Sequence, residues 1–189
     1  AARKGEALIL IDIQAGFDDP AWGARNNPKA EENAARLLTG WRAAGGPVCH
    51  IRHISSEPGS PLAPGAGSAF KNMVRPLASE AIFEKSVNSA FIGTTLEAHL
   101  RAHGITRLTL CGLTTPHCVS TTARMAANLG FGVALAHDAC AAFSRNADTG
   151  WKTGLTPMTA EAIHDAAISH LSGEFCIVRG TGEILRDPA

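Results

Sequence analysis

Residues 111–122 read Cys111-Gly112-Leu113-Thr114-Thr115-Pro116-His117-Cys118-Val119-Ser120-Thr121-Thr122. The apolar run at 108–111 predicts a buried strand, and Gly112 breaks it. Thr115 is placed to cap a helix, and Pro116 suits the first turn, where a missing N–H costs nothing. From Cys118 the pattern is helical through Met125 to Leu129, and Gly130 stops it. Cys118 therefore falls where a strand ends and a helix begins. Backbone N–H groups and the helix dipole favour negative charge there, and a cysteine so placed tends to be a thiolate, the nucleophilic form. Most cysteines are inert packing, so this reading depends on what the rest of the chain brings to Cys118.

Working outward, residues 6–13 predict a first strand, nearly continuous in apolar residues, with Asp12 near its carboxyl end. A carboxylate inside an aliphatic run needs a partner or a task. A loop with Phe17 and Trp22 follows. Asn26 or Asn27 then caps a helix that has Pro28 just inside it, apolar spacing at Ala34, Leu37, Leu38 and Trp41, and a stop at Gly45-Gly46. A second strand is expected over 47–54, then a Gly/Pro/Ser-rich loop over 55–68. A short third strand at 80–84 ends directly before Lys85. A helix over 94–103, the fourth strand and its helix, and a fifth strand over 131–136 closed by Asp138 come next. A loop through Trp151, a long helix to about residue 171 and a sixth strand over 174–178 complete the pattern, with a tail after Arg179. Alternating strands and helices predict a three-layer αβα sandwich, a six-stranded parallel, Rossmann-like sheet in one domain spanning 1–189. Sites in such sheets lie outside the carboxyl ends of strands, near the point where strand order reverses. Asp12, Lys85 and Cys118 all occupy such ends, and adjacency of the first and fourth strands would bring Asp12 to Cys118.

Composition narrows the partners. Hydrophobic residues are 45%, charged residues 18% and net charge zero, with no basic stripe, so a small-molecule substrate is expected and nucleic acid is not. No apolar run approaches a membrane span, and the stretch at 7–13 after Arg3 and Lys4 is too short for an export signal. Cys49, Cys111, Cys118, Cys140 and Cys176 are odd in number and contain no C-x-x-C, which fits reduced thiols in a cytoplasmic protein.

With these residues in place, the chain resembles the isochorismatase-like cysteine hydrolases over about residues 7–178. The matching motifs are Leu10-Ile11-Asp12-Ile13-Gln14 with Phe17, then Lys85-Ser86-Val87-Asn88-Ser89-Ala90-Phe91, the segment 112–120 around Cys118, and Asp138-Ala139. The resemblance implies a catalytic triad of Asp12, Lys85 and Cys118. It also implies a non-proline cis peptide at Leu113-Thr114, an oxyanion hole from the N–H groups of Thr114 and Cys118, and a homo-oligomer, a dimer or larger. Some members bind a divalent metal through an Asp-x-His motif that this chain lacks. His50 and His53 stand there instead, and their i,i+3 spacing puts them on opposite faces of a strand, so neither a metal nor another cofactor is expected.

The reaction implied is cleavage of a C–N bond in a small amide, ureido compound or cyclic amide through a thioester on Cys118. Phe17, Trp22, Phe91, His117 and Trp151 are the expected substrate-binding residues, the aromatic ones on loop position. Vinyl ether hydrolysis of the isochorismatase type is the alternative, which Cys118 opposes because members with that activity lack the cysteine. A non-catalytic binding protein needs no activated nucleophile, and a thiol-redox protein would want the missing C-x-x-C.

Overall fold

The computed structural model describes residues 3–186. Its centre is a parallel sheet of β1 (Glu6–Ile11), β2 (Val48–His53), β3 (Ala81–Lys85), β4 (Arg107–Leu113), β5 (Gly132–Ala141) and β6 (Ile177–Arg179), in the order β3-β2-β1-β4-β5-β6. The helices are α1 (Ala30–Ala43), α2 (Leu96–Ala102), α3 (Ser120–Asn128), α4 (Ala160–Leu171) and α5 (Thr181–Arg186), giving the expected αβα layering. Every residue of β1 is buried, as a strand covered on both faces must be. Trp41, Leu37 and Leu38 of α1 are all but fully buried in the same core as the β1 side chains, consistent with their helical spacing.

Strand order reverses beside β1. Ile11 pairs with Ile51 of β2 on one side and with Gly112 of β4 on the other, so the carboxyl ends of these strands open onto one crevice. Gly112 has φ +128°, and a Cβ on it would run into the Ile11 carbonyl. Only glycine lets β4 approach β1 this closely.

Several boundaries differ from the sequence expectation, each for a visible reason. β1 stops at Ile11 because Asp12 takes a left-handed backbone, φ 51°, while its N–H donates to the Ile51 carbonyl at 3.0 Å. Asn26 and Asn27 do not cap α1. The Asn26 Oδ1 accepts the Ala142 N–H at 2.7 Å, and the Asn27 amide donates to the Cys140 carbonyl at 2.8 Å, tying the entry of α1 to the end of β5. β5 continues past Asp138 after a register shift, pairing Gly112 with Cys140 and Leu113 with Ala141. In place of a tail after Arg179, residues 181–186 form α5, whose first residue Thr181 donates its N–H and hydroxyl to Asp138 Oδ1 at 2.8 and 2.7 Å.

Candidate active site

Three strand ends and one turn meet at the crevice. Asp12 follows β1, Lys85 ends β3, and His53 ends β2, paired in register with Lys85. Cys118 comes from a single wide turn, Thr115–Val119, that links β4 to α3. α3 itself starts at Ser120, two residues beyond the cysteine. The peptide Leu113-Thr114 that enters the turn is cis. Thr115 does not cap the turn with its side chain. Its hydroxyl shares a 2.8 Å hydrogen bond with Nδ1 of His164 on α4, both side chains being buried, which anchors the turn to the helix behind it.

The Lys85 ammonium is the hub. Its Nζ lies 2.8 Å from Asp12 Oδ2, 3.0 Å from His53 Nδ1 and 3.3 Å from Cys118 Sγ. The side chains of Asp12 and Lys85 are wholly buried, and Cys118 is nearly so. A second donor, the Asn88 amide, reaches Sγ at 3.7 Å. The other carboxylate oxygen of Asp12, Oδ1, is buried without a hydrogen-bond donor. Asp12, His53 and Cys118 offer donor atoms within 4.8 Å of one another, a spacing open to a cation, but the Lys85 ammonium bonds all three side chains and occupies that place.

Burial dominates the electrostatics. It pushes the Asp12 carboxyl above the usual carboxylate range, against the opposing pull of Lys85, Cys118 and His53. It also pushes the Cys118 thiol up to about 12, aided by the Asp12 charge and opposed by Lys85. Burial thus favours the thiol, against the thiolate that the helix-terminus position suggests. Taking the sulfur out of water outweighs the half-charge of a nearby helix end. A thiol beside a carboxylate of raised proton affinity can hand its proton over when a substrate arrives, which a resting thiolate need not do.

The remaining expected residues fall in three places. Phe17 stacks on Phe143 at 5.9 Å and meets Trp22 tilted at 5.0 Å, in a small apolar cluster that includes Leu113 at the end of β4. Phe91 is buried in the main core, stacked on Phe131 at 6.0 Å. Trp151 is 76% exposed, and His117 is exposed as well. The two second-strand histidines diverge as their spacing requires: His50 bonds Glu80 Oε2 at 2.8 Å, and His53 faces Lys85. The sequence reading did not assign His53 or Asn88 to the triad's surroundings. The available signal was position, since His53 ends a strand as Asp12 and Lys85 do.

Comparison with known proteins agrees with this geometry. The isochorismatase domain matches residues 6–182. The isochorismatase family protein YrdC of Bacillus subtilis is 44% identical over 186 residues, 98% of this chain and 97% of that protein. A crystal structure of an isochorismatase-family hydrolase from Chromobacterium violaceum superposes with a TM-score of 0.91 at 45% identity, covering 100% of this chain and 95% of that one. Maleamate amidohydrolase of Pseudomonas putida is 32% identical over 147 residues, 66% of this chain and 67% of that enzyme. Matched across its length in sequence and fold, and carrying Asp12, Lys85 and Cys118 as one buried cluster, the chain belongs to the isochorismatase family of hydrolases.

Proposed function

We propose that the protein hydrolyses a C–N bond of a small amide, ureido compound or cyclic amide through a thioester on Cys118. One observation carries the reading: a buried ammonium group joins a carboxylate and a thiol, 2.8 Å from the first and 3.3 Å from the second. Asp12 takes the Cys118 proton as sulfur attacks the carbonyl carbon. Lys85 stabilises the sulfur while it carries charge, and the N–H groups of Thr114 and Cys118 receive the oxyanion, an arrangement whose single donors are typically worth ~10²–10³ in rate. Asp12 then gives its proton to the departing nitrogen, and the amine leaves. Water, deprotonated by Asp12, attacks the thioester, and the thiol is restored as the acid departs. The similarity to maleamate amidohydrolase supports the choice of an amide.

In this reading Phe17 and Trp22, which pack with Leu113, contact the substrate on the β4 side, as does His117 on the Thr115–Val119 turn. Trp151, exposed on the loop after β5, remains a proposed substrate contact, and the resemblance to the family implies a homo-oligomer. All five cysteines are free, which fits a cytoplasmic setting. An ammonia-release screen over amides, ureides and lactams tests the chemistry. Turnover should vanish in Cys118→Ala with the fold intact, and a trapped acyl adduct should be absent from that variant. Turnover that survives the substitution rejects the covalent route.

A further inference from the structure

A lysine ammonium has three protons, and a buried one needs three acceptors. Asp12 and Cys118 supply two of those for Lys85, and both belong to the reaction proposed above. The third is Nδ1 of His53 at 3.0 Å. We propose that His53 is a positioning residue for the nucleophile: its unprotonated Nδ1 takes the third ammonium proton and so keeps Lys85 aimed at Cys118 Sγ. This rests on Cys118 being the nucleophile.

The imidazole is delivered by a fixed backbone. The fully buried Gln14 clamps the main chain of His53, its Oε1 accepting the His53 N–H and its Nε2 donating to the His53 carbonyl, both at 2.8 Å. The same amide bonds the Ser68 carbonyl at 3.0 Å, which ties the crevice rim to this pair. A lysine ammonium only donates, so its 3.0 Å contact selects the tautomer that leaves Nδ1 unprotonated and free to accept. Without that acceptor one N–H of a wholly buried ammonium has no partner, and the group can swing away from sulfur to find one.

The same geometry makes the arrangement sensitive to acid. Lys85, Asp12 and Glu57 are the charged groups that bear on His53. Burial and then the Lys85 charge favour the neutral ring, and Asp12 and Glu57 oppose them. Protonation of His53 removes the acceptor and sets a second cation against Lys85. The Lys85–sulfur contact is therefore present above the His53 pKa and lost as pH falls through it.

Alkylation by iodoacetamide reads the sulfur directly and needs no knowledge of the substrate. Sulfur displaces iodide from carbon, a thioether forms, and the thiol proton passes to Asp12. The modified residue is identified by peptide mass. In the wild type, the Cys118 rate should fall in acid with two ionisations, those of Asp12 and His53. His53→Leu, which has no acceptor, should react roughly ten- to hundred-fold more slowly at neutral pH. His53→Gln offers an amide oxygen that accepts without titrating. It should restore most of the rate and leave a single ionisation on the acid limb. A His53→Leu protein as reactive as the wild type, or a His53→Gln protein that keeps both ionisations, overturns the positioning role. A folded wild type whose Cys118 is inert across the whole range removes the nucleophile itself, a different and separable failure.

Discussion

Lys85 Nζ stands 2.8 Å from Asp12 Oδ2, and neither side chain has any exposed surface. A buried ion pair of this kind is weak support for stability, because both charges lose their water. Losing one partner is worse than losing both, since a lone charge stays buried.

That asymmetry is measurable. Asp12→Asn and Lys85→Met should each destabilise the fold by about 3 kcal/mol, and the double variant should lose clearly less than their sum. Urea unfolding of the four proteins checks it. Strict additivity would show that the two charges do not sense each other. All three variants should lack hydrolytic turnover.

Alkali should unfold the protein through its thiols. Burial raises Cys49, Cys118 and Cys140 to about 12 and Cys176 to about 11, from an ordinary value of 9.0. Each folded-state pKa is raised, so the folded chain holds protons that the unfolded chain gives up. The contribution is complete below pH 9 and lost as pH rises through the folded values. Each such thiol gives a slope of about 1.4 kcal/mol per pH unit in between. The urea midpoint should hold from pH 7 to 9 and then fall, less steeply in Cys118→Ala. A midpoint level up to pH 11 contradicts this burial.

Gly112→Ala probes the seam between β1 and β4. The new Cβ meets the Ile11 carbonyl, and the backbone there has φ +128°. Backbone cannot move aside as a flexible side chain can, so the loss should be about 3 kcal/mol or more. Circular dichroism melts against Gly130→Ala make the comparison. Gly130 also has positive φ, +88°, but open space around it, so its loss should be smaller. Equal losses would mean that the close approach at Ile11 has no cost of its own.

The order and kind of the elements were legible because strands buried on both faces read as unbroken apolar runs, and helices show their 3.6-residue spacing. Leu8, Leu10, Leu110 and Leu37 declare their environments locally. Asp12, Lys85 and Cys118 were legible for a related reason. Each is a chemically active residue at the carboxyl end of a strand, and the topology of a parallel sheet brings such ends together. The boundaries were harder. Asn26 and Asn27 have cap chemistry, yet their amides serve β5 more than a hundred residues away, a choice that local sequence does not contain.

The sequence by itself determined the layering, the parallel sheet and the identity of the three clustered side chains, since periodicity and strand-end position are local properties. Only the tertiary structure decided their burial and company. Desolvation depends on what surrounds a group in space, and it raises the proton affinity of Cys118 where a helix end alone would lower it. The third acceptor of the Lys85 ammonium likewise comes from β2, 32 residues away, and could be named only once β2 and β3 lay side by side in register.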